Sequence, residues 1–144
     1  AFINNNPGGT SQAMDRRGES FWYDVSLPHS MLDGYVTRTK DALQKLHPSI
    51  RTFVMGHLGD GNLHLTISGD AEIGPLHAAI SEIVYKDLAQ SGASFSAEHG
   101  IGIEKRSDLG RFGDAGKLTL MRMIKPALDP NGIMNPGKVI NQHP

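Results

Sequence analysis

The chain has 144 residues, 38% of them apolar and 20% charged, with a net charge of -1, so one compact core of ordinary globular composition is the default. The near-neutral balance excludes the concentrated positive field that non-specific nucleic-acid binding needs, and no apolar stretch approaches the ~20 residues that span a bilayer. Cysteine is absent, which removes disulfides and thiolate metal sites and fits a cytoplasmic location. Nothing resembles a signal peptide, and a first residue of Ala1 rather than Met is what a fragment of a longer polypeptide would show.

In chain order, residues 1–19 carry Asn4, Asn5, Asn6, Pro7, Gly8, Gly9 and Gly18. They predict an irregular segment, with at most a turn over Ser11 to Arg16; the domain proper is read as residues 20–144. Phe21 to Leu27 alternates as a strand and stops at Pro28. Ser30 followed by Asp33 has the spacing of a capping box, and Leu32, Val36, Leu43 and Leu46 mark one face of a helix that ends near Pro48. Ile50 to Met55 and Leu63 to Ile67 predict two more strands. Pro75 opens a second helix with Leu76, Ile80, Ile83, Val84 and Leu88 at helical spacing, closed by Gly92. Ala93 to Ala97 predicts a fourth short strand, and a further helix runs roughly from Ala115 to Lys125. The order β-α-β-β-α-β predicts an α+β, ferredoxin-like antiparallel sheet with helices on one face and an additional C-terminal helix.

Asp60-Gly61 between apolar runs is a strong hairpin signal, because a type I′ turn needs positive φ at both central residues. With those two as the turn, His57 faces His64. Directly opposed Cβ atoms lie roughly 4.5–5.5 Å apart, close enough for two imidazoles to share one metal ion with bonds of about 2.0–2.1 Å. The alternative is a pair of partly buried polar residues, or a slipped register in which they never meet. His29, His47, His77 and His143 fall at loop or helix-surface positions that solvation explains. Ser96 to Gly102 lies where the fourth strand ends. Its Glu98 offers the carboxylate that commonly joins two histidines in an open site, and His99 suits a general base, with a pKa near ~6.5. The competing reading is a strand-to-helix corner that Glu98 and His99 merely cap.

Three motifs then carry a resemblance. Gly56-His57-Leu58-Gly59-Asp60-Gly61-Asn62-Leu63-His64 resembles the GHxGDGNxH signature of the C-terminal domain of FAD-linked oxidases. Ser96 to Gly102 resembles that family's SxEHGxG segment, and Leu128 to Lys138 resembles its DPxGIxNPGK terminus, while Asp24 to Pro28 matches a weaker DxSxP strand. The family includes D-lactate, D-2-hydroxyglutarate and glycolate dehydrogenases. The resemblance implies a flavin-binding domain on the same polypeptide, FAD as cofactor, and a small 2-hydroxyacid substrate oxidised to a 2-oxoacid by hydride transfer to the flavin. It also implies that His57, His64 and Glu98 ligate a divalent metal, commonly zinc, that His99 is the base, and that the turn at Asn135 reaches the flavin.

Substrate contacts are expected from Asn62, Thr66 and Trp22. Relatives that oxidise 2-hydroxyglutarate typically carry lysine at the position of Trp22 and asparagine at that of Thr66, so a smaller or more apolar 2-hydroxyacid is expected here. The family's upstream substrate arginine is not identifiable here, because residues 1–19 do not match that stretch, although Arg16 or Arg17 could serve. Against this stand a ferredoxin-like metal or ligand module without redox activity, an interaction domain with incidental histidines, and a metal-dependent hydrolase. Separated from the flavin domain, the chain is expected to self-associate, in the simplest case as a homodimer, through an exposed apolar rim.

Overall fold

The structure is a computed structural model that describes residues 19–69, 73–86 and 88–140. Most of the irregular N-terminal segment, with Arg16 and Arg17, and His143 lie outside the described residues.

Strand β1 (Ser20–Ser26) follows its sequence alternation: Tyr23 and Val25 are buried, with Phe21 packed beside them, whereas Trp22 on the other face is exposed. A 3-10 turn at His29–Met31 leads into helix α1 (Leu32–Leu46), which buries Leu32, Tyr35, Thr39 and Leu43 at spacings of three and four. The capping box predicted at Ser30 does not form: the N-cap is Met31, without a side-chain cap, because the 3-10 turn carries the chain into the helix. Strands β2 (Arg51–His57) and β3 (Asn62–Ser68) follow. A 3-10 turn with Pro75 near its start precedes helix α2 (His77–Tyr85).

The sheet is antiparallel with order β1-β3-β2. The fourth strand shrinks to one bridge beside β1, in which Ser94 and Ser26 exchange backbone hydrogen bonds (2.8 and 3.3 Å). Its continuation is diverted because the N–H groups of Ala97 and His99 go to the Asp24 carboxylate. The spatial order is nonetheless that of the predicted ferredoxin-like arrangement. Helix α3 (Arg106–Phe112) was not foreseen, being short and interrupted by Gly110. Helix α4 (Ala115–Leu128) outruns its predicted end and is capped by Asp114, whose Oδ1 accepts from Lys117 N–H at 2.7 Å.

One face of the sheet packs on α1 and α2. Leu63, Leu65 and Ile67 of β3, Val25 of β1 and Leu43, Ile80 and Val84 of the helices form a continuous apolar layer, each such side chain contributing roughly 1.5–3 kcal/mol on burial. Two of its phenols are paired: Tyr23 Oη meets Ser81 Oγ at 3.1 Å, and Tyr35 Oη donates to Val84 O at 2.9 Å. Burial pushes all three core phenols up, Tyr23 to about 12. Leu109, Leu118 and Ile140 make a second, smaller cluster that docks α3, α4 and the tail together.

The connection from β1 to α1 presses on the β2–β3 hairpin. Gly61 is left-handed (φ 69°), its carbonyl accepts from Leu27 N–H at 3.0 Å, and a Cβ there would overlap the Leu27 carbonyl oxygen. Gly61→Ala is therefore expected to cost more than about 2 kcal/mol, αL strain of roughly 1–2 kcal/mol plus the clash; urea denaturation with an unchanged midpoint would contradict this.

Candidate active site

Among the described residues, no helix lies over the opposite face of the sheet. Alternation places Asp24, His64 and Met55 in one row across β1, β3 and β2, with Ser26, Asn62 and His57 in the next and Trp22, Thr66 and Phe53 on the other side. Rows are roughly 7 Å apart along the strands.

The predicted pairing of His57 with His64 is corrected by the register. His57 pairs with Asn62, and His64 with Met55. Leu58–Asp60 make a 3-10 turn that closes on Gly61, and Asn62 N–H is drawn to Asp60 Oδ1 at 3.2 Å. Only Gly61 of the pair takes positive φ, so no type I′ turn forms and the loop holds two more residues than expected. A shift of two preserves the face, where a shift of one would reverse it. The two imidazoles therefore still meet, diagonally, with ring centroids 5.4 Å apart and planes at 87°.

Glu98 completes the group from the far side of the chain. Its Oε1 lies 3.6 Å from His57 Nε2 and its Oε2 3.8 Å from His64 Nε2. One donor atom from each of the three residues falls within 4.8 Å of the others. His57 and Glu98 are largely exposed and His64 is half-buried, so the cluster opens outward.

Glu98 is held there by Asp24, a residue the sequence reading passed over. Asp24 is fully buried. Its Oδ1 accepts from Ala97 N–H at 2.6 Å and its Oδ2 from His99 N–H at 2.8 Å. The Ser96 hydroxyl lies 3.0 Å from Oδ1, and Lys105 Nζ lies 3.4 Å from Oδ1 and 2.8 Å from Ser96 Oγ. Burial alone would raise the pKa of this carboxyl. The backbone donors of His99 and Ala97, the Lys105 ammonium and Ser96 together outweigh that and hold it below the usual carboxylate range. The available signal was an acid in the middle of a β-strand whose flanking positions, Tyr23 and Val25, belong to the core.

His99 lies beside the cluster, with Nδ1 3.1 Å from Asp24 Oδ2 and its ring stacked on that of His64 (5.7 Å, 21°). Among the other predicted site residues, Asn62 neighbours His57; its amide is buried and has no hydrogen-bond partner among the described residues. Thr66 is buried and Trp22 is 61% exposed, both one row from His64. Asn135 is not brought to the cluster by any described hydrogen bond; it occupies an exposed turn (φ 46°) whose carbonyl accepts from Lys138 N–H. That turn is tied to the site loop through Val139 N–H to Gly102 O (2.8 Å) and to α3 through Arg106 to Gly137 O. Asp129 shapes the tail, accepting from Lys125 Nζ, Ile133 N–H and Met134 N–H; the Lys125 hydrogen bond leads the interactions that lower its pKa. His29 is more than a solvated side chain, since its Nε2 meets Leu58 O in the hairpin loop.

Residues 7–139 match the family model described as FAD linked oxidases, C-terminal domain. The chain belongs to this family. The family match begins inside the stretch read as irregular. A mitochondrial D-2-hydroxyglutarate dehydrogenase of Bos taurus is 41% identical over 134 residues, 92% of this chain and 24% of the relative. A D-2-hydroxyglutarate dehydrogenase of Xanthomonas citri pv. viticola is 38% identical over 125 residues, 83% and 26%. A Schizosaccharomyces pombe protein provisionally named a mitochondrial D-lactate dehydrogenase is 34% identical over 141 residues, 92% and 27%. This FAD-linked oxidase domain thus spans about a quarter of the length of these relatives. The mitochondrial names correct the cytoplasmic expectation. Cysteine usage reports on redox compartment, whereas an organelle address is written in a targeting segment.

The lowered pKa of Asp24 has a consequence for acid stability. A carboxyl whose folded pKa lies below its unfolded value of about 3.9 contributes stability in full above roughly pH 5 and loses it as pH falls through the folded pKa. Unfolding free energy should fall from pH 5 toward pH 3, and Asp24→Asn should flatten that limb while lowering stability at pH 7. Parallel acid limbs in the two proteins would rule Asp24 out as a contributor.

Proposed function

We propose that this domain is the substrate- and metal-binding part of an FAD-dependent D-2-hydroxyacid dehydrogenase that oxidises a 2-hydroxyacid to a 2-oxoacid. The observation that carries the reading is the convergence of His57, His64 and Glu98, with His99 alongside, on the uncovered face of a domain of this family.

The donor set fits a divalent ion. Two imidazole nitrogens and a carboxylate oxygen are the ligands of open zinc sites, and one such atom from each residue lies within 4.8 Å of the others, a modest contraction away from the roughly 3.4 Å that tetrahedral bonds of about 2.0–2.1 Å require. His57, His64 and Glu98 would hold the ion and leave its outward position for substrate. When bound, the metal would supply Lewis-acid stabilisation of oxygen charge, and a flavin carried by the remainder of the polypeptide would supply the hydride acceptor. His99 takes the proton of the substrate hydroxyl at Nε2. The Trp22–Thr66–Phe53 row, next along the strands from His64, receives the substrate's carbon chain, and the buried amide of Asn62 lies next to His57 as a further polar group. The aromatic character of that row favours a small or apolar 2-hydroxyacid.

The surface supports attachment to a larger body. Met123, Leu128 and Ile133 on α4 and the tail are 66%, 75% and 77% exposed, a density of apolar side chains that ordinarily marks an interface. The flavin-binding part of the same polypeptide is the partner proposed for it; without that part, the isolated chain self-associates there.

Elemental analysis tests the metal site. The chain should carry near-stoichiometric divalent metal that is lost on His57→Ala/His64→Ala, while His99→Ala in the full flavoprotein keeps the metal and slows flavin reduction by a 2-hydroxyacid on the order of 10²–10⁴-fold. Normal flavin reduction in the His99 variant would sink the base assignment. For the substrate, Trp22→Lys should raise kcat/KM for D-2-hydroxyglutarate at least about tenfold relative to D-lactate, by offering a cation to the second carboxylate. An unaltered ratio would remove Trp22 from the substrate's reach.

A further inference from the structure

We infer that His29 is a positioning residue for the candidate metal ligand His57, clamping the hairpin turn from its ring Nε2 and so fixing where that imidazole stands. This rests on the reading of His57, His64 and Glu98 as a metal-holding group in the proposed function.

The three candidate ligands are not held equally. His64 lies midway along β3, the central strand, with Asp24 of β1 and Met55 of β2 as its pairing partners. Glu98 sits between two residues whose amides bond the Asp24 carboxylate. His57 has neither support. It is the last residue of β2, an edge strand among the described residues, where its pairing partner is Asn62 and its side chain is 62% exposed. Beyond it the chain leaves the sheet for the Leu58–Asp60 turn, so the setting of that turn decides the path of the backbone through His57.

Inside the turn the hydrogen bonds are long: Gly61 N–H to Leu58 O is 3.4 Å and Asn62 N–H to Asp60 Oδ1 is 3.2 Å. The shorter ones come from outside. Leu27 N–H donates to Gly61 O at 3.0 Å, and His29 Nε2 meets Leu58 O at 2.5 Å. Two residues of one connection thus grip both ends of the turn, and the second grip falls on the residue bonded to His57. A carbonyl oxygen only accepts, so Nε2 is the donor. A neutral ring with its hydrogen on Nε2 and a protonated ring both supply it, and the contact does not turn on the charge of His29. The clamp is itself anchored. Leu27 is core, Pro28 has φ -51°, and Met31 N–H closes the 3-10 turn on Pro28 O at 2.8 Å. His29 is therefore presented from a stiff corner, 29 residues before the carbonyl it holds. It stands outside the His57, His64 and Glu98 group, so it supports the ligand set without joining it. Without that hydrogen bond the turn would keep only the Leu27 tie and pivot on it. The ion would then have to order His57 itself, which weakens binding.

The test uses Zn²⁺ alone, titrated against a chromophoric chelator in the full flavoprotein after its metal has been stripped. His29→Ala should weaken Zn²⁺ binding at least about tenfold, with the thermal unfolding midpoint unchanged. His29→Gln, which keeps a side-chain N–H donor, should stay within about threefold of wild type. His29→Leu, which keeps bulk without a donor, should behave as His29→Ala. Unchanged affinity in the Ala and Leu variants would overturn the inference, and so would equal weakening in His29→Gln. An unfolding midpoint lowered in step with affinity would show general loosening and would overturn it as well. Hydrogen exchange of the metal-free protein reads the clamp independently of the ion. The Gly61 and Asn62 amides, both bonded within the turn, should exchange about tenfold faster in His29→Ala; equal rates would contradict the clamp. A flavoprotein that bound no Zn²⁺, yet whose turn amides were released by His29→Ala, would sink the metal reading and leave the hold of His29 on the turn standing.

Discussion

A single buried carboxylate joins the framework of this domain to its chemistry. Asp24 belongs to β1, whose neighbouring side chains Tyr23 and Val25 are core, yet its own side chain serves the opposite face. There it gathers the Ala97 and His99 amides, the Ser96 hydroxyl and the Lys105 ammonium. Burying an ion without such partners would cost several kcal/mol. With them, the charge becomes the reason the loop has one conformation. Glu98 and His99 inherit their placement from it, and the fourth strand is cut short because its donors are used here.

The two faces of the sheet divide the work. One is filled by α1 and α2 and supplies stability through apolar burial, including three phenols whose hydroxyl chemistry is suppressed. The other carries the histidines, with Trp22 and Phe53 adjacent. Period-two alternation is sufficient to keep these sets apart, which is why strands seven residues long can each serve the core and a site at once.

That alternation is also why so much was legible beforehand. Three strands, two helices and the C-terminal helix follow directly from apolar spacing, and the two histidines reach one face under either register. The register itself was not legible. Asp60-Gly61 signals a hairpin, but whether the chain turns over two residues or four depends on a 3-10 turn and on the Leu27 backbone packed against Gly61, a contact between distant segments. Ser30 illustrates the same limit, since its spacing to Asp33 suits a cap that a preceding turn displaces. Asp24 is the most instructive omission. An acid in a strand is ordinarily a solvated position, and only the fold reveals that residues 96–99 close over it. The Asn135 turn was legible as a turn, but its anchoring to Gly102 was not.

The sequence distances within the site set an order of assembly. His57 and His64 come from one hairpin, whereas Asp24 meets Ala97 and His99 across separations of 73 and 75 residues. Closing the longer span costs about 2 kcal/mol more chain entropy than closing the hairpin, and non-local contacts form late. We expect the His57–His64 pair to appear early in folding, and Glu98 and His99 to arrive only when β1 has found β3. The His99 amide, protected by Asp24 alone, is the probe for that second event in pulsed hydrogen exchange. Protection of that amide as early as the hairpin amides would refute the order. A newly made chain would then pass through a stage in which the two histidines already share a face while the loop of residues 96–99 still stands open.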